Sequence, residues 1–266
     1  MKKHDPMGDR LKLYELMETD RRCEKGKPII VRLDGKAFHT FTKGLNRPYD
    51  MRLSMLMVQT TAHLVEKTHA LMGYTQSDEI TLVFHYEEPS QPLYGGKFHK
   101  LTSILAAEAA SFFTKELPKA LPEKTGNTVA FDARVFQVPD KSEAANAVLW
   151  RWFDARKNSI AMLAQSEFSH RDLQGVDTLE MREMLEAQKS LHWEDYPSFF
   201  KWGTFVRREA FEVELSTEEL ARIPEDKRPQ GPVKRSRVVT IDQMPAFIDV
   251  TNRIEFIFDG ALPKTE

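Results

Sequence analysis

The chain has 266 residues, of which 41% are hydrophobic and 29% are charged, and its formal net charge is −2. This composition is typical of a globular protein with room for a real core, and no apolar run approaches the roughly 20 residues of a membrane span. The small net charge excludes a chain that attracts nucleic acid through an overall basic field. The single cysteine, Cys23, excludes an internal disulfide and a cysteine-ligated zinc site, so we expect a cytoplasmic protein.

The first half of the sequence predicts both helices and strands. Helical spacing of apolar residues, β-branched runs and turn residues are the signals used. They predict a helix at 6–19, a strand at 28–34, a helix at 50–71, two strands within 73–84 and a helix at 98–117. The β-branched run at 28–34 is typical of a buried strand, and Gly35 ends it. The two strands at 73–84 are short enough to form a hairpin around a tight turn.

The second half predicts a strand at 129–138, helices at 142–165 and 179–190, and strands at 204–213 and 237–241. A polar segment with prolines, 216–232, lies between the last two strands and predicts a mobile loop. Short hairpins occur where parallel strands would need long crossovers. We therefore expect an α+β fold with an antiparallel sheet and helices packed on one face, divided into residues 1–140 and a C-terminal α/β extension, 141–266.

Two acidic positions are candidates for chemistry. Asp34 and Gly35 end the first predicted strand, whereas Asp78 and Glu79 lie in the turn of the predicted hairpin. Asp–Gly at a strand end is also an ordinary Asx turn, and Asp–Glu is common in hairpin turns. If the first strand lies beside the hairpin, however, the carboxylates come together and form a site for a hard cation such as Mg²⁺, which commonly carries nucleotide phosphates.

Other conspicuous side chains have a plain structural interpretation. His63 and His69 on the long helix are expected to be surface residues or to have protein partners. Trp150, Trp152 and Phe153 are expected in the core. An aromatic cluster is formed by Trp193, Tyr196, Phe199, Phe200 and Trp202. Packing in the core is the first interpretation of this cluster, ahead of a subunit interface or stacking on RNA.

The residues around both acidic positions resemble the signatures of one family. Residues 31–41 read V-R-L-D-G-K-A-F-H-T-F and resemble the pattern R-[IL]-D-G-x-x-F-H-x-F of the tRNA-histidine guanylyltransferase superfamily. Residues 73–84 read G-Y-T-Q-S-D-E-I-T-L-V-F and resemble its second pattern, Y-x-Q-S-D-E-x-[ST]-x-[VL]-F. The resemblance is strongest from residue 29 to residue 113.

The resemblance implies a palm-like catalytic domain that adds nucleotides to the 5′ end of tRNA in the 3′–5′ direction. It implies two Mg²⁺ ions held by Asp34, the Gly35 carbonyl and Asp78, with Glu79 as a supporting catalytic carboxylate. ATP and GTP or other nucleoside triphosphates are the implied substrates. The implied nucleotide-binding residues also include Lys36, Ala37, Phe38, His39, Ser77, Lys97 and Lys100.

The sequence departs from the eukaryotic pattern in the later segments. Where eukaryotic enzymes have H-I-N-N, implicated in tRNA handling, this chain has Arg156 in place of the histidine and keeps one asparagine, Asn158. The lysine of a K-G-T motif is displaced by one position, to Lys201. These departures resemble the bacterial and archaeal branch that repairs truncated tRNA 5′ ends. Arg156, Asn158, Lys201 and Arg207 are candidate tRNA contacts.

The sequence thus predicts a Mg²⁺-dependent 3′–5′ nucleotidyltransferase that binds the 5′ end and acceptor stem of tRNA. It is expected to carry out template-dependent 5′-end repair or G addition to tRNA-His. The resemblance also implies a homotetramer with no membrane partner. Two other functions stay open at this point: a palm-type nucleotidyl cyclase and a non-catalytic RNA-binding protein.

Overall fold

The computed structural model describes residues 5–241 and 243–266. Strands β1 to β6 span Ile29–Gly35, Met72–Gln76, Glu79–Phe84, Phe131–Gln137, Thr204–Val213 and Val233–Ile241. Helices α1 to α9 span Pro6–Thr19, Phe38–Phe41, Met51–Thr68, Phe98–Ala120, Lys141–Glu167, Thr178–Lys189, Ser198–Trp202, Thr217–Ala221 and Arg253–Phe258.

The six strands form one antiparallel sheet in the order β4-β1-β3-β2-β5-β6. The predicted α+β class with an antiparallel sheet is confirmed. Because β5 pairs with β2, and β4 with β1, both halves of the chain contribute strands to the same sheet. The segment predicted as a mobile loop, 216–232, contains the short helix α8, whose first turn is closed by a capping box between Ser216 and Glu219.

Helices cover both faces of the sheet, so the expectation of helices on one face is corrected. Alternate residues of β1 face opposite cores, since side chains along a strand point to alternate sides. Val31 and Leu33 pack on the side of α3 and α4, whereas Ile30 packs with Trp152 of α5. The central strands β2 and β3 are buried along their whole length, which is what a sheet covered on both faces requires.

The aromatic residues of the second half divide between core and surface. Trp193 and Phe200 are buried with α5 residues in a third cluster, so the prediction that this group packs internally is confirmed. Trp152 is also buried, but Trp150 is 51% exposed and Phe153 is exposed, so the prediction of core positions was wrong for both. The buried stripe of α5 includes Trp152 but turns Trp150 and Phe153 outward. Among the described residues, no helix is both long enough and apolar enough to cross a bilayer.

Candidate functional site

The end of β1 and the turn between β2 and β3 lie side by side. β1 is antiparallel to β3, and this register sets Asp34 opposite Glu79. The Gly35 amide continues the contact beyond the ladder by donating a hydrogen bond to the Asp78 carbonyl at 3.1 Å. The pairing predicted from the order of the elements is therefore present, and it brings Asp34 and Asp78 to one end of the sheet.

Gly35 has no room for a side chain. A Cβ atom at this position would lie 2.4 Å from the ring of Phe38, which is buried against Phe113 and Phe131. Because the Phe38 ring is packed in the core, it anchors the loop that follows β1. Two non-glycine residues of the site, Ala37 (φ 57°) and Ser77 (φ 50°), adopt the left-handed conformation. This backbone is uncommon for residues with a Cβ, and such strain is concentrated at ligand sites.

A cavity of about 650 Å³ opens above these two segments. Its wall includes the carboxylates of Asp34 and Asp78, the loop that leads into α3, and one side of α5 near its end. Of the residues that the sequence predicts to bind nucleotide, it is lined by Asp34, Gly35, Ala37, Phe38, His39, Ser77 and Asp78. The volume is in the range of small-molecule sites.

The two carboxylates influence each other. Burial raises the pKa of Asp78, and the negative charge of Asp34 raises it further. The hydroxyl of Ser77 donates to the Asp78 carboxylate at 3.1 Å and opposes this change. Like charges held together in a cavity are the arrangement that a divalent cation relieves.

Glu79, the neighbour of Asp78, has a different environment. Its carboxylate accepts two hydrogen bonds of 2.6 Å from Arg151 of α5, one from Nε and one from Nη2. The side chains of Glu79 and Arg151 are only 7% and 8% exposed. Burial raises the pKa of Glu79, while the Arg151 guanidinium counteracts that rise. Glu79 does not line the cavity. It lies buried next to Asp34 and Asp78 and contributes to the structure around them.

The side chains of the site provide only part of the coordination that a bound metal ion needs. Within 5–241 and 243–266, no group of three or more His, Cys, Asp or Glu side chains could hold a metal ion. Asp34 and Asp78 provide two carboxylates, since Glu79 is occupied by Arg151. Hard oxygen donors that leave coordination positions for phosphate and water suit Mg²⁺. The residues present therefore fit Mg²⁺ that arrives with a nucleotide.

The far wall of the cavity contains a second buried acid, Asp50. Asp50 caps α3 by accepting the Arg52 amide at 3.0 Å, and both of its oxygens also pair with the Arg52 guanidinium. These hydrogen bonds lower the pKa of Asp50 to about 2. A longer contact of 3.3 Å from the Asn46 amide ties the loop to the same carboxylate.

Three predicted nucleotide-binding lysines lie outside the cavity lining. The Lys36 amide donates to the Ala130 carbonyl at 2.9 Å, and its side chain is exposed. Lys97 and Lys100 belong to the start of α4, a helix of 23 residues that is about 33 Å long. The opposite end of that helix is the one beside the cavity, because Lys124 just beyond it reaches the Lys43 carbonyl. Lys97 instead lies 3.5 Å from Asp20.

The four candidate tRNA contacts do not form one cluster. Arg156 and Asn158 are exposed on α5, with the Arg156 guanidinium 5.8 Å from the centre of the Trp193 ring. Lys201 lies over Trp202 and donates to the Glu194 carbonyl. Arg207 is only 6% exposed and donates to the Ala261 carbonyl, so it is part of the fold interior.

Sequence reasoning missed Arg151, Asp50 and the wall from α5. Arg151 lies between two tryptophans in the sequence, and no pattern there indicates a partner 72 residues away. Met162, Gln165 and Ser166 line the cavity only because the fold brings the last turns of α5 beside it. Asp50 was recognisable as an N-cap from its position before an amphipathic run, although its place in the cavity was not.

This chain is similar in sequence to known proteins. The family model described as Thg1, tRNAHis guanylyltransferase, matches residues 8–139. An uncharacterized protein of Acanthamoeba polyphaga mimivirus is 30% identical over 234 residues, which is 79% of this chain and 80% of that protein. The tRNA(His) guanylyltransferase of Schizosaccharomyces pombe is 26% identical over 217 residues, covering 76% of this chain and 82% of the relative.

Two solved structures share the whole fold. A bacterial tRNA(His) guanylyltransferase (Thg1)-like protein in complex with ATP superposes with a TM-score of 0.78 at 29% identity, covering 95% of this chain and 97% of the other. A bacterial protein of the same description in complex with GTP gives a TM-score of 0.71 at 28% identity, with 92% and 94% covered.

Proposed function

Because the chain belongs to the tRNAHis guanylyltransferase family, we propose that it is a nucleotidyltransferase that adds nucleotides to the 5′ end of tRNA. One observation carries this proposal. The two signature carboxylates, Asp34 and Asp78, face one cavity of about 650 Å³, and no Lys, Arg or His nitrogen of the described residues lies within 4.0 Å of either. Such a pair is suited to a metal-bound triphosphate.

Asp34, Asp78 and the Gly35 carbonyl are the groups that would hold Mg²⁺. Bound Mg²⁺ ions would lower the pKa of an attacking 3′-hydroxyl and neutralise charge on the leaving phosphate. The protein contributes the positions of its own groups. Arg151 holds Glu79, the first residue of β3, and the turn that carries Asp78 comes directly before it. The Gly35 amide donates a hydrogen bond to the Asp78 carbonyl.

The loop from Gly35 to His39 would bind the nucleotide phosphates through backbone amides. Support comes from its place in the cavity wall and from the left-handed backbone at Ala37, which lets the chain turn tightly over a buried Phe38. The Ser77 hydroxyl, now on Asp78, would add a further donor. ATP and GTP are the proposed substrates, since they are bound by the similar bacterial proteins.

The finer activity that we propose is template-dependent repair of truncated tRNA 5′ ends, with G addition to tRNA-His as a narrower form of the same reaction. Arg156 in place of the eukaryotic histidine supports the repair activity. Arg156 is exposed beside Trp193, on the helix whose later residues wall the cavity, so it is accessible to RNA. A guanidinium group suits a phosphate contact because its charge and its fork of N–H donors match the phosphate oxygens.

We also propose a homotetramer and a cytoplasmic location. Assembly is supported by helix α1, which has no buried residue and exposes several large apolar side chains, namely Met7, Leu11, Leu13, Tyr14, Leu16 and Met17. A helix of 14 residues with no packed face is marginal by itself in water. A second copy that covers α1 would remove this weakness.

The test is transfer of label from α-³²P-GTP to a 5′-truncated tRNA in the presence and absence of Mg²⁺. We expect transfer by the wild type with Mg²⁺, and a loss of about a thousandfold or more in Asp34→Asn and Asp78→Asn, because each removes a charged ligand of the reacting phosphates. Arg134→Met, which changes an exposed residue on the edge strand β4, is the matched control for folding. Transfer that survives Asp34→Asn, or a cyclic product from GTP alone, would contradict the proposal.

A further inference from the structure

A second cavity of about 720 Å³ lies at the end of the sheet opposite to the carboxylates. It is bounded by the turn before β2, by residues 207–210 of β5 and by residues 257–260 at the end of α9. Met72, where β2 begins, pairs with Arg207, whereas Gln76 at its other end pairs with Glu79. The two ends of β2 are four residues apart, or about 13 Å. The cavity is therefore separate from the nucleotide site.

One edge of β5 is open where it borders this cavity. β5 pairs with β2 only from Thr204 to Arg207, although it continues along β6 as far as Val213. Beyond Arg207 the side of β5 that faced β2 has no strand beside it among the described residues. Its backbone amides on that side are therefore available as hydrogen-bond donors.

Arg207 presents a buried cation to the same cavity. Its side chain is 6% exposed, its Nη1 donates to the Ala261 carbonyl at 2.7 Å, and its guanidinium lies 5.7 Å from the centre of the Phe256 ring. Its Nε is buried and has no hydrogen-bond partner. Among the described residues, no carboxylate lies within 4.0 Å of Arg207. A buried guanidinium without a counter-charge is unfavourable, and an anionic ligand would relieve it.

The other polar groups of the cavity wall are mostly donors. Arg208 and His69 add cationic or protonatable side chains, and Ser236 adds a hydroxyl. Of the acids in the wall, Glu209 is neutralised by Arg237 at 2.9 Å. Asp259 is exposed. The balance of charge around the buried guanidinium therefore favours an anion.

We propose that this cavity binds a phosphate-type oxyanion, with Arg207 as its main ligand. Guanidinium groups match the geometry of phosphate oxygens and can donate two parallel hydrogen bonds. A free phosphate or pyrophosphate and a phosphate of the RNA backbone offer the same chemistry. The cavity is large enough for either source.

Calorimetric titration with inorganic phosphate and with pyrophosphate, in EDTA to remove divalent metals, tests the site. We expect Arg207→Met to weaken binding by at least about tenfold, because a charge-assisted hydrogen bond is lost. Arg222→Met, which removes one exposed arginine outside the cavity, should leave binding as in the wild type. Wild-type affinity in Arg207→Met, or equal weakening in both variants, would overturn the proposal.

Two further variants separate this site from folding effects and from the nucleotide site. Ala210→Glu places a negative charge at an exposed position of the cavity rim, so it should weaken phosphate binding even if Arg207→Met fails to fold. Asp34→Asn should leave phosphate binding intact. Stronger binding in Asp34→Asn, as expected in EDTA when a negative charge beside the anion is removed, together with unchanged binding in Ala210→Glu would place the anion at the nucleotide site and refute the proposal.

Titration with a 5′-truncated tRNA identifies the source of the phosphate. If RNA is the source, tRNA affinity falls in Arg207→Met and Ala210→Glu but not in Arg222→Met. If a small anion is the source, tRNA affinity is the same in all four proteins and the phosphate titrations alone differ. When neither ligand distinguishes Ala210→Glu and Arg207→Met from the wild type, the cavity is not an oxyanion site.

Discussion

Asp78 and Glu79 are neighbours in the chain, but they belong to two regions with opposite electrostatics. Asp78 faces the cavity with Asp34, and in the part of the chain that the structure describes neither carboxylate has a cationic nitrogen within 4.0 Å. Glu79 points into the layer below, where Arg151 binds both of its oxygens and also reaches Asp154 at 2.6 Å. The fold thus neutralises Glu79, whereas it leaves Asp34 and Asp78 without an ion-pair partner among the described residues.

The difference separates structural charge from functional charge. A buried ion pair that is complete contributes to the shape of the site, and its removal disturbs folding. A carboxylate pair without a cationic partner contributes little to stability, but it is available to bind a cationic ligand. Variants in the two regions should therefore fail in different ways, one in stability and the other in activity.

The largest stability effect is expected for Arg151→Met. It leaves Glu79 buried without its cation, and breaking a buried pair costs about 3–5 kcal/mol. Urea unfolding measures the loss, which should come with only a secondary loss of nucleotide transfer per folded molecule. The double variant Glu79→Met/Arg151→Met is the matched control and should regain most of the stability. A double variant as unstable as Arg151→Met would show that packing of Arg151, and not its charge, supports the site.

A smaller effect is expected at the wall of the cavity, for Arg52→Met. The pKa of Asp50 is lowered to about 2 by Arg52, so this pair contributes stability at neutral pH that is lost as pH falls through the ordinary carboxyl range towards 2. Because the Arg52 side chain is 44% exposed and screened by solvent, we expect a smaller loss of stability than for Arg151→Met. Thermal unfolding at neutral pH and near pH 3 checks this, since the difference between wild type and variant should be smaller at the lower pH. Arg47→Met, an exposed arginine of the same loop, should behave as the wild type at both pH values.

The smallest effect concerns the pH dependence of the metal-free protein. The folded state raises the pKa of Asp78, so it binds the proton more tightly than the unfolded chain does. That contribution is present at acidic pH and is lost as pH rises through the raised pKa. Asp78→Asn should be more stable than the wild type at pH 7 in EDTA, by about 1 kcal/mol or less, and the gain should shrink towards pH 4. A gain that does not change with pH would mean that the charge of Asp78 is not the cause.

The comparison of sequence with structure shows where local patterns suffice. Helix α1 and strand β5 lie where the sequence predicts them, because the periodicity of side chains and the turn residues act over a few neighbours. The sequence offered the position of Asp34 beside Asp78 as a conditional expectation, because the order of the elements allows the first strand to lie beside the hairpin, and the pairing of β1 with β3 meets that condition. The second layer of helices did not follow, because β1 reads as a buried strand whether one helix layer or two cover the sheet.

The amino-acid sequence by itself determined the two signature segments, and with them the family, the antiparallel α+β class and the acids Asp34 and Asp78. Only the tertiary structure decided which charges are compensated. Glu79 meets Arg151 across 72 residues, Arg207 is buried with no carboxylate of the described residues within 4.0 Å, and Lys97 lies at the end of its helix that is remote from the cavity. The physical reason is that a motif specifies residues close in the chain, whereas the energy of a charge depends on the distant groups that fold around it.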